Sequence, residues 1–173
     1  QQMNASFDPL HLVNTYGAFG SVTRTRYELI VEGTDDELPL PNGKWLAYEF
    51  KRKPGMVTRM PQQISPYYFK LDWQIWFAAM TPYWDHPWML NLVAKLLQND
   101  AATLELLASN PFPQKPPRFV RVERYEYHFS PSLKTDEHGV IHWWRRQHAG
   151  AYLPALSLND DDYIQLLRRL GWY

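Results

Sequence analysis

The sequence predicts an α+β fold with a mainly antiparallel sheet of about four strands. Segments that alternate apolar and polar residues with a period of two occur as two pairs, one early and one late in the chain. Segments with helical periodicity lie between the two pairs and at the C-terminal end. The predicted order is therefore strand, strand, helices, strand, strand, helix, and this separation of strand pairs from helices favours antiparallel pairing.

The first strand pair is predicted between residues 21 and 53. In "SVTRTRYELIVE" the apolar residues Tyr27, Leu29 and Val31 alternate with charged ones, which is typical of a half-buried strand. The segment "KWLAYEFKRK" from Lys44 alternates in the same way, and Asp, Pro, Asn and Gly between the two segments predict a loop. Together the segments predict an antiparallel hairpin.

Helices are predicted after the hairpin. The segment "LDWQIWFAAM", residues 71–80, is the first, and we expect it to pack on the apolar face of the hairpin and to bury Trp76. Pro87 suits the first turn of a second helix, because the missing N–H has no helical partner there. A short third helix is predicted at residues 101–108, with Asp100 as its cap.

Two later segments, "RFVRVERYEYHF" and "VIHWWRRQH", predict the second strand pair. In the first of them Val120 and Val122 are out of phase with Tyr125 and Tyr127. Either a β-bulge or a sheet that is covered on both faces explains such a change of phase.

The C-terminal segment, residues 158–171, predicts the last helix. Asn159 is the expected cap, three aspartates follow it at the positive end of the helix dipole, and Gly171 follows the last turn. We expect the apolar stripe of this helix to dock on the sheet. The stripe consists of Tyr163, Leu166, Leu167 and Leu170.

The composition bounds the function. The 173 residues fit one domain, residues 1–173, and aromatic residues are 16% of the chain, which favours a packing or recognition surface. Lysine plus arginine and aspartate plus glutamate are balanced at 18 each, so nucleic acid is not an expected partner. Cysteine is absent, which excludes disulfides and cysteine nucleophiles. No catalytic motif or metal-ligand cluster is recognisable, so we expect neither enzyme activity nor a cofactor in this domain.

The sequence contains no apolar run near the roughly 20 residues that a membrane-spanning helix needs. The chain begins with Gln1 and Gln2, which is not how translation starts. We therefore expect an excised or processed piece of a longer protein, whose targeting signals can lie outside it.

Asp72 is the single carboxylate in the aromatic segment, and two structural roles are open for it. As a helix cap it accepts N–H bonds from Gln74 or Ile75. As half of an ion pair it contacts Arg24 or Arg26 on the first strand, because a carboxylate in an aromatic wall needs a cation or several donors. Catalysis by Asp72 is not expected, since no second acid, base or nucleophile accompanies it.

The two arginines of the first strand share a strand face with Glu28, which is typical of a solvated outer face with weak ion pairs. We group them with the aromatic segment as one structural motif that orders the fold. The motif consists of Arg24, Arg26, Tyr27, Asp72, Trp73 and Trp76.

The run Trp143, Trp144, Arg145 and Arg146 is the candidate interface. Adjacent strand residues face opposite sides, so one tryptophan can be core while the other lies open beside an arginine, a combination common in interface hot spots. Packing of both tryptophans in the core, under the last helix, is the alternative.

The chain carries five motifs in a characteristic order: "NTYGAFGSVTRTRYELIVEGTDD", "WLAYEFKRKPG", "LDWQIWFAAM", "NPFP" and "WWRR". Their order and spacing resemble the C-terminal domain of the lipase maturation factor family over residues 13–146. The resemblance implies an integral membrane protein whose C-terminal domain faces the endoplasmic reticulum lumen in animals and binds newly made dimeric lipases. The absence of cysteine and the compact loops indicate similarity to a bacterial member of the family. In such a member the domain is periplasmic, and its client can be a secreted protein other than a lipase.

Three classes of function are open at this point. The leading hypothesis is a non-enzymatic domain that binds a folding client, such as a secreted lipase, through exposed aromatic residues. The alternative is an accessory domain of a membrane-embedded enzyme, since the membrane region of the family resembles that of the vitamin K-dependent carboxylase. The third class is a purely structural domain, which predicts no exposed aromatic cluster.

Overall fold

The structure, a computed structural model, describes residues 25–63, 66–131 and 135–173. The strands are β1 (Arg26–Thr34), β2 (Leu46–Ala47), β3 (Glu49–Phe50), β4 (Leu107–Ser109), β5 (Phe119–Phe129) and β6 (Trp144–Leu156). The helices are α1 (Lys70–Ala78), α2 (Trp88–Leu97), α3 (Ala101–Leu104) and α4 (Asp161–Arg169), with a 3₁₀ helix at Tyr83–Asp85. One antiparallel sheet has the strand order β2-β1-β5-β6, and β3 pairs with β4. The predicted α+β class with a mainly antiparallel sheet is confirmed.

The predicted hairpin is present, but its second strand is divided. Ala47 of β2 lies opposite Glu32 of β1, whereas β3 pairs with β4 in the small sheet. β4 occupies part of the predicted third helix, so that prediction is wrong beyond Leu104. Leu107 is buried and pairs with Phe50, and this tertiary pairing overrides the weak propensity of a short helix.

The main hydrophobic core lies between one face of the sheet and the helices. Leu29 and Val31 of β1 and Val120 and Val122 of β5 are fully buried in it. Ile75 of α1 belongs to the same core, which confirms the expected packing of the first helix on the apolar face of the hairpin. α2 buries most of its residues, as its strongly apolar sequence predicts.

The "NPFP" motif places an aromatic ring in this core. Asn110 Oδ1 accepts a hydrogen bond from the Phe112 N–H at 2.9 Å, which holds the turn before the proline. The Phe112 ring then lies against Gly33 of β1, where a Cβ would come within 2.6 Å of the ring. Gly33 is therefore required by the close approach of the ring and not by a special backbone angle.

The second face of the sheet is covered as well, because the loop at residues 51–60 crosses it. Tyr127 donates its hydroxyl hydrogen bond to the Gly55 carbonyl at 2.6 Å, and the backbone N–H groups of Trp143 and Trp144 both donate to the Val57 carbonyl at 3.0 Å. Glu28, on this face, is fully buried. The expectation of a solvated outer face was wrong, because a loop without regular structure supplies the cover.

The change of phase in β5 follows from this double cover. Val120 and Val122 face the main core, whereas Tyr127 packs with Ile30 and Trp144 in a small cluster on the second face. β5 pairs with β1 in an unbroken register, so of the two explanations the covered sheet applies there. The register shifts lie on the other side of β5, in its pairing with β6.

The last helix, α4, is confirmed, with its cap one residue later than predicted. Asp160, not Asn159, accepts hydrogen bonds from the N–H groups of Asp162 and Tyr163. The buried stripe is Tyr163, Ile164 and Leu167, whereas Leu166 and Leu170 are exposed. The Tyr163 hydroxyl donates to the Leu90 carbonyl at 2.7 Å, which joins α4 to α2.

Candidate functional site

A cleft of about 290 Å³ lies between the first half of α1, the loop at residues 51–62 and the adjoining ends of β5 and β6. Among the residues that the structure describes, four arginine and lysine residues and one carboxylate line it, but most of its wall is apolar. The aromatic lining residues are Tyr68, Phe69, Trp73, Trp76, Phe129 and Trp144.

The α1 wall is a chain of touching rings. Trp73 lies 5.2 Å from both Tyr68 and Trp76, measured between ring centroids, and Trp76 lies 5.3 Å from Phe77. Trp73 and Trp76 are half-buried, so the expectation that Trp76 is a core side chain was wrong. The core-facing side of this short helix is occupied by Ile75 and Ala78 instead, which leaves the tryptophans on the cleft side.

The opposite wall comes from the sheet. Phe129 at the end of β5 stacks on Trp144 at the start of β6, with ring centroids 4.4 Å apart. The Trp144 indole N–H donates to the Arg59 carbonyl at 3.0 Å, which fixes the ring against the loop. The Arg26 guanidinium lies 5.7 Å from the Trp144 ring centroid, within reach of a cation–π contact.

The mouth of the cleft exposes a cluster of large apolar side chains. Met60 is 55% exposed, Tyr68 53% and Phe129 63%. Such residues surround a concave site here, whereas single exposed apolar residues elsewhere need no explanation. A concave, mostly apolar hollow with a few polar groups is the usual form of a ligand-binding site.

Asp72 holds the loop to the helix. Its Oδ2 accepts hydrogen bonds from the backbone N–H groups of Arg52 at 2.6 Å and Lys53 at 2.9 Å. Asp72 lies inside the first turn of α1, after the cap Phe69, so the predicted capping of Gln74 or Ile75 is wrong. The ion pair with Arg26 is wrong too, because Arg26 pairs with Glu28 at 2.7 Å. Arg24, the other candidate partner, lies outside the described residues.

The second carboxylate oxygen of Asp72 has a different environment. Oδ1 is buried and receives no hydrogen bond from any residue that the structure describes. A buried acceptor without a donor is costly. Asp72 itself lines the cleft, so this unsatisfied oxygen belongs to a side chain of the cleft wall.

A buried ion pair lies beneath the cleft. Lys53 Nζ is 3.3 Å from Glu28 Oε2 and donates hydrogen bonds to the carbonyl groups of Leu29 and Pro54. With Arg26 on its other oxygen, the Glu28 carboxylate has two cationic partners, which offsets its complete burial. This arrangement ties β1 to the loop and supports the cleft floor.

Two further cations contact the ring of Phe69, which lines the cleft. Lys51 Nζ and the Arg52 guanidinium lie 5.1 and 5.4 Å from the centroid of the Phe69 ring. The Arg52 guanidinium also donates to the Gln63 carbonyl at 2.5 Å. Neither cation has a carboxylate partner within the ranges that the structure describes. Arg59, by contrast, lies 3.6 Å from Glu49.

The predicted interface run is only partly at this site. Trp144 is buried in the cleft wall, and Trp143 is half-buried against the same small cluster, so no fully open tryptophan stands beside an arginine. The alternative of packing under the last helix is also wrong, because that cluster lies on the opposite face of the sheet from α4. Arg145 is exposed, and Arg146 stacks on Tyr125 with its guanidinium 4.6 Å from the ring centroid.

The other motif residues fall in different places. Asp72, Trp73, Trp76 and Arg26 meet in the cleft, whereas Tyr27 packs partly against the main core. The sequence reasoning missed Tyr68, Phe129 and Met60. Phe129 is the last residue of β5, and Met60 and Tyr68 lie in the irregular segment between β3 and α1, where periodicity carries no information. A count of aromatics just before the segment at residues 71–80 would have pointed to Tyr67, Tyr68 and Phe69, but not to Phe129 or Met60.

The described residues contain no group of three or more His, Asp or Glu side chains arranged to hold a metal ion. Within the same residues, no helix is both long and apolar enough to pass through a bilayer.

The fold is an α+β domain with a mostly apolar cleft that several cations line. The family profile described as lipase maturation factor C-terminal domain matches residues 12–154. The chain therefore belongs to the lipase maturation factor family, in the C-terminal domain of that family.

Individual relatives agree with this assignment. The chain is 47% identical to lipase maturation factor 1 of Homo sapiens over 175 residues, which is 99% of this chain and 30% of that protein. It is 50% identical to lipase maturation factor 1 of Bos taurus, covering 92% of this chain and 29% of that protein. Identity to lipase maturation factor 2 of Homo sapiens is 39%, covering 94% of this chain and 22% of that protein. The chain thus spans less than a third of the length of these relatives. No solved structure matches the chain.

Proposed function

We propose that this domain is a non-enzymatic client-binding domain, which holds a secreted protein, such as a lipase, during its folding or assembly. The observation that supports it best is the aromatic cleft with exposed apolar side chains at its mouth. Family membership supports the same function, because the relatives are named for lipase maturation.

The build of the cleft suits binding of incompletely folded chains. Its aromatic rings offer large contact areas with little loss of rotamer freedom on binding. Its loop wall is held by hydrogen bonds to Asp72, Tyr127 and Trp144, so the hollow is preformed. A preformed site loses less entropy when the client binds.

The purely structural class predicted that no aromatic cluster is exposed, and the side chains of Tyr68 and Phe129 contradict it. The accessory-domain alternative, as part of a membrane-embedded enzyme, gains no support from any contact among the described residues. Client binding therefore remains the function that the cleft supports best.

The test compares two exposed aromatics in the full-length parent. Phe129→Ser removes one edge of the cleft, and Trp84→Ser removes a side chain that is 67% exposed and does not line the cleft. We expect Phe129→Ser to reduce co-purification of a co-expressed secreted lipase at least about fivefold, as is typical of an aromatic contact at a binding site. Trp84→Ser should leave it unchanged.

Trp84→Ser should keep the free energy of unfolding of the domain within about 0.5 kcal/mol, because that side chain is largely exposed. Phe129→Ser also removes the stacking on Trp144 and should cost about 0.5–1.5 kcal/mol. If the two variants captured the lipase equally well, the cleft would not be the client-binding site. If the unmodified parent retained no secreted protein, the proposed client binding itself would be contradicted.

We propose in addition that the parent protein is integrated in a membrane and that this domain faces the extracytoplasmic side. The family resemblance supports this placement. An alkaline phosphatase reporter fused after Tyr173 in the full-length parent should be active in a bacterial host, since that enzyme requires an oxidising compartment to form its disulfides. An inactive reporter with a normal amount of fusion protein would place the domain in the cytoplasm.

A further inference from the structure

We propose that the cleft selects extended client segments in which a large apolar residue lies next to an acidic one. This inference rests on the proposed client binding and adds the chemistry of the segment that is bound. The apolar residue occupies the aromatic cleft, and the acidic residue pairs with Arg52 at its rim and with Lys51, which contacts the same Phe69 ring.

The charge distribution around the cleft carries the acidic preference. Arg26 and Lys53 share the Glu28 carboxylate, and Arg59 lies near Glu49, so these cations are already paired. Arg52 and Lys51 contact the Phe69 ring but no carboxylate among the described residues. A cation next to an apolar surface is weakly hydrated on one side, which favours pairing with an anion from the ligand.

Arg52 stands where two hollows meet. A more open and more polar hollow adjoins the aromatic cleft and shares Arg52 and Gln62 with it, and Tyr67 lines its far side. A segment that fills the cleft with an apolar side chain therefore continues past the Arg52 guanidinium. The neighbouring residue of the segment is the one that meets the cation.

Asp72 favours a peptide over other ligands that combine an apolar part with a carboxylate, such as a fatty acid. The buried Oδ1 of Asp72 lacks a donor among the residues that the structure describes, and an extended peptide carries main-chain N–H groups, the type of donor that this oxygen needs. A fatty acid has an apolar tail and a carboxylate but no N–H donor. The charge of Asp72 does not oppose an acidic ligand strongly, because its Oδ2 is bound by two backbone N–H groups.

The experiment uses the 173-residue chain and tryptophan-free peptides of ten residues. Each peptide has the same Phe-Leu apolar centre, followed by Asp-Glu, Gln-Gln or Lys-Lys. Binding is followed by the fluorescence of the protein, since Trp73, Trp76 and Trp144 line the cleft. We expect the acidic peptide to bind about tenfold more tightly than the basic one at low salt, and the difference to shrink in 0.5 M salt.

The variant Arg52→Gln should weaken binding of the acidic peptide about three- to fivefold, because it removes one partly exposed ion pair. Binding of the neutral peptide should not change. The backbone N–H that Arg52 donates to Asp72 is kept in this variant, so the fold is preserved. Lys51→Gln should act in the same direction. The matched control is Arg169→Gln at the end of α4, which should change none of the affinities.

The outcomes separate the two proposals. Equal binding of the three peptides overturns the acidic preference and leaves client binding standing. An acidic preference that persists in Arg52→Gln and Lys51→Gln also overturns it. Absence of binding by every peptide counts against the cleft as the client site. Binding of dodecanoate instead of peptides, with loss in Arg52→Gln, would assign the cleft to an acyl carboxylate and overturn the peptide proposal.

Discussion

At the scale of single residues, Asp72 shows how one side chain can join two distant segments. It lies 20 residues after Arg52 and 19 after Lys53, yet one of its oxygens accepts both of their backbone hydrogen bonds. Backbone donors in a loop have no regular partner, so a buried carboxylate that accepts them fixes the loop. The cleft wall depends on this contact.

Replacement of Asp72 tests that dependence. Asp72→Ala leaves two backbone donors unpaired near the core, and we expect a loss of about 2–4 kcal/mol in the free energy of unfolding. Asp72→Asn retains an oxygen acceptor and should cost only about 1 kcal/mol. Urea denaturation of both variants measures the difference. Equal losses would show that the carboxylate oxygen does not hold the loop.

The pairing of Arg26 provides a second test at this scale. Because Arg26 contacts Glu28, a double-mutant cycle of Arg26→Met with Asp72→Asn should be additive within about 0.5 kcal/mol. The matched cycle of Arg26→Met with Glu28→Gln should show coupling of about 0.5–3 kcal/mol. Strong coupling in the first cycle and none in the second would restore the ion pair between Arg26 and Asp72.

At the scale of elements, the second strand of the hairpin shows competition between two partners. β1 pairs with β2 over only two residue pairs. The next segment of the chain, β3, pairs with β4 instead. The division lets Tyr48, between β2 and β3, enter the main core beside Phe112, with ring centroids 5.8 Å apart. Core packing of aromatic rings thus outweighs continuation of a regular strand pair.

Gly33 tests the packing between β1 and the "NPFP" segment. In Gly33→Ala the new methyl group would meet the Phe112 ring at 2.6 Å and Pro117 Cβ at 3.2 Å. We expect a loss of about 1–3 kcal/mol in the free energy of unfolding, the usual cost of overpacking. In a Phe112→Leu background, where the ring is absent, the same change should cost less. An undiminished cost there would locate the clash elsewhere.

At the scale of the whole molecule, several tyrosine hydroxyls lie inside. Burial raises the pKa of Tyr127 and of Tyr152 to about 12 and moves the pKa of Tyr48 and Tyr163 upward too, from an ordinary value near 10. The folded state therefore favours the neutral phenols. These groups contribute stability that is complete below pH 10 and is lost as pH rises through 12.

Alkaline unfolding should reveal this linkage. We expect the free energy of unfolding to be constant between about pH 8 and 9.5 and to fall steeply above about pH 10. Denaturation at a series of pH values, with absorbance of tyrosinate as a second probe, measures it. Tyr163→Phe should reduce the steepness, although it also removes the hydrogen bond to Leu90. An unchanged free energy of unfolding at pH 11.5 would contradict the raised pKa of these tyrosines.

The sequence by itself determined the features that depend on local pattern. The period of two in β1 and β5, the apolar run of α2, and the aspartates and arginines at opposite ends of α4 all predict the elements found. The order of the motifs was enough to identify the family. Local pattern suffices here because burial of one face repeats at each turn or pleat of the element.

Only the tertiary structure decided what each element faces. The cleft is built from residues far apart in the chain, as the hydrogen bond between Trp144 and Arg59, separated by 85 positions, illustrates. The loop that covers the second sheet face has no periodicity, so its cover of Glu28 and Ile30 was not visible in the sequence. Which donors reach Asp72 depends on the same long-range packing. A side chain's type shows that it needs a partner, but the three-dimensional path of the chain decides which partner it meets.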